Sequence, residues 1–324
     1  MADLSRIDPE MQAARLQVEA EAAKFPPVVP KMPIDPQRVV NDHLSGLFGA
    51  GGPVMAHSQD RFVSANGRRV MCRLHKPVAG DNMPVLVWLH GGGWVWASID
   101  THDRLVRELA HAGGVATISV DYSLSPEARF PQAVVECAEV IRKIAADAAS
   151  WGIDPARIII GGDSAGGNLA LATAIMLRDD FPGSGGGPKL AGILAAYPVT
   201  DTDFDSPTYR EFADGYGLTR AAMMTYWDLY LRDPVDRLNP LAAPMRDSLK
   251  GLPPTMVLLA EIDVLRSEGE RLAAKMVVAG VKVTLESFAG MVHGFLRFSE
   301  VVGKSRVAIA EAGKWLRKAA VSAG

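Results

Sequence analysis

The sequence predicts an α/β fold in which a mostly parallel sheet is covered by helices on both faces. From residue 85 onward, short apolar runs without polar alternation take turns with longer helix-like segments, and this rhythm is typical of parallel strands joined by helices. Ahead of them, two runs of period two meet at Asn66-Gly67, which is the strongest short signal for a hairpin. We expect this hairpin to form an antiparallel edge.

Each element follows from its residue pattern. Runs rich in β-branched and apolar residues favour strands, and longer segments of helix-forming residues favour helices. After the hairpin runs 61–63 and 69–74, the predicted strands are Val85–Leu89, Val115–Val120, Ile158–Ile160, Leu190–Ala196, Thr255–Ala260 and Val281–Phe288. The predicted helices are Arg104–Ala112, Gln132–Ala149, Asn168–Ala174, Glu268–Ala279 and Lys304–Ala320.

Two further segments stand outside this alternation. Near the start, Asp8-Pro9 and Asp35-Pro36 each place proline where a helix begins, and we predict helices to about Lys24 and Leu47, joined by a proline-rich linker. The second segment, from 198 to about 254, holds many of the aromatic residues and a predicted helix Arg220–Leu231. We predict cap helices in 1–48, a first part of the α/β core in 49–200, an inserted cap in 201–240 and the rest of the core in 241–324. The alternative is that the inserted aromatics pack as ordinary core.

Composition excludes several classes of function. The chain of 324 residues is 48% hydrophobic and 22% charged, with a net charge of −3, so it presents no basic surface for nucleic acid. No apolar run has the length of a membrane span, and the first residues lack the pattern of a signal peptide, so we expect no membrane anchor. Cys72 and Cys137 lack the spacing of a metal site, and we expect two buried free thiols in the cytoplasm, with a single disulfide as the alternative.

A candidate nucleophile follows the third parallel strand. Gly162-x-Ser164-x-Gly166 lies between the apolar run Ile158–Ile160 and a helix-forming segment, as in a nucleophile elbow. In such a turn the serine stands on a strained strand-to-helix connection, and the glycines allow the backbone to pass closely. The motif alone is also compatible with a flexible glycine loop, so the presence of a base and an acid elsewhere in the chain distinguishes the two interpretations.

The partners of this serine occur in the expected order. A serine hydroxyl needs a base to accept its proton and a carboxylate to orient that base. Only one histidine follows Ser164, and this residue, His293, comes directly after a predicted strand. The strand Thr255–Ala260 ends at two acids, Glu261 and Asp263, between which spacing does not choose. We favour Asp263 because the loop turns there.

Backbone N–H donors for an oxyanion are predicted at two places. His90-Gly91-Gly92-Gly93-Trp94 follows the strand Val85–Leu89 and matches the HGGG type of loop, which supplies one donor. The N–H of Ala165, next to the serine, supplies another.

These motifs make the chain similar to the bacterial esterases of the hormone-sensitive-lipase type, within the α/β-hydrolase superfamily. The resemblance spans nearly the whole chain and implies Ser164, Asp263 and His293 as a triad, with Gly91, Gly92 and Ala165 as oxyanion donors. It also implies a helical cap, hydrolysis of carboxylic esters with mostly short acyl chains, and no cofactor or metal. Many such esterases form homodimers through the edge strand, here 281–288.

Other positions receive supporting roles. Asp163 and Glu127 are predicted to hold the glycine loop and the elbow by hydrogen bonds, or else to be solvated surface acids. Four apolar residues beside the motifs are predicted to line the substrate pocket, or else to be ordinary core: Trp94, Tyr197, Leu265 and Phe295.

The sequence therefore predicts a serine carboxylesterase acting on small esters with short to medium acyl chains. Two alternatives stay open. The same triad could cleave an amide, a lactone or a formamide. The chain could also be a small-molecule receptor on the same scaffold, as in the plant gibberellin receptors, although those lack the triad histidine that this chain keeps as His293.

Overall fold

The strands form a single eight-stranded sheet in the order β1-β2-β4-β3-β5-β6-β7-β8. We describe a computed structural model of the chain over residues 2–27, 34–179 and 187–322. The strands are β1 (His57–Ala65), β2 (Arg68–Lys76), β3 (Met83–Leu89), β4 (Ala116–Val120), β5 (Ile153–Asp163), β6 (Gly192–Ala196), β7 (Thr255–Ile262) and β8 (Val283–Val292). The predicted proline linker and the glycine run 183–187 lie wholly or partly outside the described residues.

The sheet is parallel except at its first edge. β2 runs antiparallel to both β1 and β4, whereas β4, β3, β5, β6, β7 and β8 are parallel to one another. Asn66 and Gly67 both have positive φ and form the predicted hairpin turn between β1 and β2. All residues of β4 and β6 are buried, as expected for strands covered on both faces. The predicted fold class is therefore confirmed.

Helices cover the sheet and extend above it. They are α1 (Pro9–Ala22), α2 (Asp35–Gly46), α3 (Asp103–Gly113), α4 (Gln132–Ala146), α5 (Ala148–Trp151), α6 (Ala165–Asp179), α7 (Pro207–Glu211), α8 (Arg220–Tyr230), α9 (Arg266–Val278) and α10 (Gly303–Ser322). In the layers beside the sheet, α3 packs against α10 and α4 packs against α6. No helix within the described ranges is long and apolar enough to cross a membrane.

Several elements differ in length from the sequence prediction, and two of these differences matter for the site. β5 continues through the glycines to Asp163, because parallel pairing with β3 and β6 persists to Leu89 and Ala196. β8 continues past the predicted end at Phe288 to Val292, with an irregular register opposite β7. Both strands therefore end directly before a residue of the predicted triad. The predicted helix 132–149 is divided into α4 and α5.

The first two helices pack on the loops at the carboxyl end of the sheet rather than forming a core of their own. The Asp8 N–H donates to the Gly290 carbonyl at 3.0 Å, just ahead of the end of β8. The Asp3 N–H donates to the Tyr216 hydroxyl at 2.8 Å, so the N-terminal segment also touches the inserted segment. Cys72 and Cys137 are both unpaired and buried.

Candidate active site

Ser164 stands between β5 and α6 in the strained conformation of an elbow. Its φ is +56°, a value that non-glycine residues adopt only where surrounding contacts impose it. The Ser164 N–H donates to the Ala196 carbonyl at 2.9 Å, and its own carbonyl accepts the Asn168 N–H at 3.1 Å. A Cβ at Gly166 would lie within 3.0 Å of the Leu89 carbonyl, so the close packing of elbow and β3 requires glycine there.

The predicted nucleophile, base and acid form one hydrogen-bonded chain. His293 Nε2 lies 2.8 Å from Ser164 Oγ, and His293 Nδ1 lies 2.7 Å from Asp263 Oδ2. A carboxylate can only accept, so Nδ1 carries the proton and Nε2 is the acceptor that faces the serine hydroxyl. Asp263 Oδ1 also accepts the Leu265 N–H at 3.0 Å, which fixes the carboxylate.

Glu261, the other candidate acid, is directed elsewhere. Its carboxylate accepts the Gly290 N–H at 2.7 Å, ahead of the histidine loop. Both acids therefore contact the end of β8, but only Asp263 reaches the imidazole. The geometry favours Asp263 over Glu261 as the partner of His293.

The glycine loop corrects one of the predicted oxyanion donors. The Gly91 N–H donates to Asp163 Oδ1 at 3.0 Å and is therefore already used within the protein. Gly92 and Gly93 line the cavity beside Ser164, and none of the hydrogen bonds found among the described residues uses the N–H of either. Three consecutive glycines do not reveal which N–H is occupied, because that depends on an acid far away in the sequence.

Asp163 is buried behind this loop with two polar neighbours. Its Oδ2 lies 3.3 Å from Nε2 of His102, and its side chain is 4% exposed. Burial raises the pKa of the Asp163 carboxyl, but the neighbouring His102, the charge of Arg297 and the Gly91 N–H together outweigh burial, so the pKa lies below its ordinary value. The hydrogen bond from the Gly91 N–H is thus a direct contact that supports the predicted role of Asp163 in holding the glycine loop.

Burial lowers the pKa of the first residue of the loop motif, His90, to about 3, so its imidazole stays neutral. The ring stacks on Tyr122 with centroids 4.4 Å apart. The Tyr122 hydroxyl donates to the His90 carbonyl at 2.7 Å, which ties the start of the loop to the segment after β4.

Glu127 reaches the loop only through Arg38 of α2. The guanidinium donates to both Glu127 oxygens, at 2.9 and 2.8 Å, and also to the carbonyls of Val95 and Ser125, each at 2.9 Å. The predicted role of Glu127 is therefore indirect: it orients the arginine that connects α2 to the segment following the glycines.

A cavity of about 160 Å³ opens above Ser164. Its walls come from α2, the glycine loop, the inserted segment and the stretch after His293. Besides Ser164 and His293, they are Asn41, Ser45, Gly92, Gly93, Trp96, Ala97, His102, Asp163, Leu218, Met223, Tyr226, Gly294 and Arg297.

None of the four predicted pocket residues lines this cavity; each is buried beside it. Tyr197 packs edge-on against His293 with ring centroids 4.9 Å apart, and Phe295 packs against Tyr197. Trp94 stacks on Tyr230 of α8 at 4.2 Å, while Leu265 supplies the N–H that holds Asp263. These side chains support the site from behind, because large apolar residues next to such motifs fill the core first.

Sequence reasoning missed the cavity residues that come from distant segments. His102 precedes the elbow, so the order of residues along the chain gives no reason to expect it at the site, yet it lies next to Asp163. Arg297 carried a signal that could have been used, since it is a lone cation within the apolar run 295–298 after the histidine. Asn41 and Ser45 carry no such sequence signal, because no feature of helix α2 indicates that it packs near the elbow.

Comparison with known proteins places the chain in a family. Residues 86–297 match the family described as alpha/beta hydrolase fold. The chain is 39% identical to carboxylesterase NlhH of Mycobacterium tuberculosis over 230 residues, which is 70% of each protein. It is 30% identical to ethyl acetate hydrolase of Pseudomonas putida over 304 residues, covering 91% of this chain and 94% of that protein.

Solved structures agree with this assignment. The hyperthermophilic esterase of the archaeon Pyrobaculum calidifontis superposes with a TM-score of 0.87 at 30% identity, covering 97% of this chain and 99% of that one. The chain belongs to the α/β-hydrolase family, and it resembles the carboxylesterases within that family. The family predicted from the motifs is confirmed.

Proposed function

We propose that this protein, a serine carboxylesterase of the family, attacks its ester with Ser164, uses His293 as general base and acid, and orients His293 with Asp263. The observation that carries the proposal is the continuous pair of contacts, 2.8 Å from Ser164 Oγ to Nε2 and 2.7 Å from Nδ1 to the Asp263 carboxylate. A nucleophile, a base and an orienting group within hydrogen-bond reach are what acyl transfer requires.

The reaction runs in two halves. His293 Nε2 takes the hydroxyl proton as Ser164 Oγ attacks the ester carbonyl, and the Asp263 carboxylate stabilises the resulting imidazolium. When the tetrahedral intermediate collapses, Nε2 gives the proton to the departing alcohol and the acyl group stays on Ser164. A water molecule then repeats the sequence and releases the acid.

We assign the oxyanion site to the N–H groups of Gly92, Gly93 and Ala165. Gly92 and Gly93 line the cavity beside the serine and their N–H groups are free of other bonds among the described residues, while Ala165 opens helix α6, where the first N–H groups have no partner within the helix. Each such donor is worth about a hundredfold to a thousandfold in turnover. Gly91 instead fixes the loop through Asp163.

A covalent inhibitor tests the nucleophile. An alkylphosphonate with a 4-nitrophenyl leaving group should modify one peptide, the one that contains Ser164, and Ser164→Ala should abolish both labelling and turnover, the latter by about a millionfold. Ser248→Ala is the matched control, because that serine is exposed and lies outside the cavity. Loss of activity through labelling at another serine would refute the assignment.

We further propose that residues 1–48 and 201–240 act as a cap that limits the length of the acyl chain. Helix α2 contributes Asn41 and Ser45 to the cavity wall, and the inserted segment contributes Met223 and Tyr226. A cavity of about 160 Å³ is similar in size to one of about 150 Å³ that can hold benzene, and this supports short acyl groups as the preferred substrates.

Two neighbouring methionines of α8 provide a matched test of the cap. Met223 lines the cavity and is 1% exposed, whereas Met224 points outward and is 40% exposed. On 4-nitrophenyl esters from acetyl to dodecanoyl, kcat/KM should be highest for short chains, and Met223→Ala should shift the optimum toward longer ones. Met224→Ala should leave the profile unchanged. The same shift in both variants would contradict a cap that sets chain length.

We also propose that two copies pair through β8. This strand ends the sheet and pairs only with β7 among the described strands, and Leu285 on it is 44% exposed. An unpaired edge is a ready surface for another copy of the same strand. Sedimentation should give a dimer for the unaltered protein and a monomer for Leu285→Asp. A monomer in both cases would refute the pairing.

Free thiols support a reducing compartment, and we propose the cytoplasm. Cys72 and Cys137 are buried without a disulfide, a state that a reducing environment maintains. Fractionation of the native host followed by immunodetection tests this, and recovery from an oxidising compartment would contradict it.

A further inference from the structure

Arg297 lines the cavity with a cationic side chain that has no hydrogen-bonding or ion-pair partner among the described residues. It lies on the short helical turn 295–298 that follows His293 and Gly294, and it lines the cavity above Ser164. Among residues 2–27, 34–179 and 187–322, no hydrogen bond or ion pair engages its guanidinium. A half-buried guanidinium carries five donors, and such groups are ordinarily paired.

Other half-buried arginines of this chain are paired. Arg38 binds both oxygens of Glu127, Arg73 binds Asp60 and Asp100, and Arg178 binds both oxygens of Asp247. Arg297 therefore differs from them, and it does so at the wall of the cavity that holds the nucleophile.

Asp163 interacts with Arg297 electrostatically but does not bind it. The charge of Arg297 contributes to the lowered pKa of Asp163, so the two groups interact electrostatically. The contacts of Asp163 are nevertheless with the Gly91 N–H and His102, and no oxygen of Asp163 lies within 4.0 Å of an Arg297 nitrogen. The guanidinium keeps its hydrogen-bonding donors for a molecule in the cavity.

The cavity lining combines polar and apolar side chains. Asn41 and Ser45 of α2 add polar side chains to the lining that contains Arg297, while Leu218, Met223 and Tyr226 give it an apolar wall. Such a cavity suits a molecule with a short hydrocarbon part and one charged group.

We propose that Arg297 is a specificity-determining residue that binds a carboxylate carried by the substrate itself. The substrate class is then an anionic ester, in which a carboxylate stands a few atoms from the scissile carbonyl. Guanidinium and carboxylate match as two parallel N–H···O bonds, which provides orientation as well as affinity. This inference rests on the proposed esterase function, and it leaves open only whether the carboxylate belongs to the acyl or the alcohol portion.

Two pairs of matched esters distinguish the portions. For the acyl side, monomethyl succinate is compared with methyl 4-methylpentanoate, in which an isopropyl group replaces the carboxylate. For the alcohol side, acetoxyacetate is compared with isobutyl acetate, which differs in the same way. Proton release in a pH-stat gives kcat/KM for all four, and each pair yields one ratio of anionic to neutral ester.

The unaltered protein should turn over the anionic ester of one pair at least as well as its neutral partner. Arg297→Met should lower that ratio about 10- to 100-fold while changing kcat/KM for the neutral ester less than about threefold. Arg297→Lys keeps the charge but not the planar fork, and it should retain only part of the preference. Arg210→Met removes the same charge from an exposed position outside the cavity and should change neither ratio.

Several results would overturn the inference. One is a preference of the unaltered protein for the neutral ester in both pairs, and another is an anionic-to-neutral ratio that Arg297→Met changes by less than twofold. A third is an equal loss of kcat/KM on anionic and neutral esters, which would mean that Arg297 only supports the catalytic groups. Failure of the proposed function has a different appearance: no ester of either kind is hydrolysed, or hydrolysis survives in Ser164→Ala.

Discussion

Replacing Asp163 by alanine tests whether one buried carboxylate holds the glycine loop in position. Asp163 Oδ1 accepts the Gly91 N–H at 3.0 Å, and Oδ2 lies 3.3 Å from His102 Nε2. Both partners are themselves buried, so neither can turn to bulk water once the carboxylate is removed. The loop that continues into Gly92 and Gly93 would lose its fixed point.

The expected cost follows from these contacts. A buried polar group left without a partner costs about 1–3 kcal/mol, so two such groups give about 2–6 kcal/mol for Asp163→Ala. Asp163→Asn keeps an acceptor for Gly91 and should cost about half as much. Because Gly92 and Gly93 directly follow Gly91, turnover should also fall about 10- to 100-fold, somewhat less than the loss of a whole oxyanion donor. KM should change little, since the carboxylate does not need to contact substrate.

Urea unfolding gives the free energy, and 4-nitrophenyl acetate hydrolysis gives kcat and KM. Asp214→Ala is the control because that acid is exposed, and it should change stability by less than about 0.5 kcal/mol. If Asp163→Ala unfolds within 1 kcal/mol of the unaltered protein and keeps its kcat within twofold, the carboxylate does not position the loop.

The pH dependence of the same variants has a definite sign. The pKa of Asp163 is lowered in the folded protein from its ordinary 3.8, so its contribution to stability is fully present above that value and is lost as pH falls through the folded pKa. The stability difference between Asp163→Ala and the unaltered protein should therefore stay constant from pH 8 to about pH 5. A difference that disappears between pH 7 and pH 6 would contradict this reasoning.

Three other predictions follow from single contacts. Asp263→Ala should lower kcat about ten-thousandfold, because only Asp263 reaches the imidazole. Glu261→Ala should instead cost about 1–3 kcal/mol of stability with little change in kcat. Steady-state kinetics and urea unfolding measure the two effects, and the reverse pattern would overturn the choice of acid. Burial raises the pKa of the Cys72 thiol to about 12 and that of Cys137 well above its ordinary value. Ellman's reagent at pH 8 should therefore titrate two thiols only after unfolding. Rapid reaction of the folded protein would contradict their burial. Arg38→Met should loosen α2, because Arg38 bonds this helix to the carbonyls of Val95 and Ser125 and to Glu127. Hydrogen exchange in α2 should rise while β5 stays protected. Unchanged exchange in α2 would show that other contacts hold the helix in place.

The serine, histidine and aspartate that the structure brings together could be located from sequence because each depends on a local turn. Ser164 is marked by its flanking glycines, and His293 and Asp263 follow apolar runs whose carboxyl ends must meet at one edge of a parallel sheet. In such a sheet, order along the chain and position at the edge are linked, so residues 129 and 30 positions apart can be expected to meet. The expectation that these residues meet therefore depends on the fold class, which is confirmed.

The cavity could not be located in the same way. Its wall combines α2, the loop after β3, the inserted helix α8 and the turn after His293, and nothing in their separate patterns indicates how they pack on one another. The sequence therefore predicts that large apolar residues next to the motifs, such as Trp94 and Phe295, line the pocket, whereas the structure buries them behind it. Hydrophobicity predicts burial, but it does not predict on which side of the catalytic groups a residue is buried.

Asp163 connects the part of the site that could be predicted with the part that could not. Hydrogen bonding directs its carboxylate toward Gly91 and His102, and this determines which glycine N–H groups remain for the proposed oxyanion site. Its negative charge acts further, on Arg297, without any bond between them. Charge attraction thus favours an arginine at the cavity wall, while the absence of a short contact leaves that arginine's donors to the substrate. The proposed oxyanion site and the proposed preference for an anionic ester therefore depend on the same buried acid.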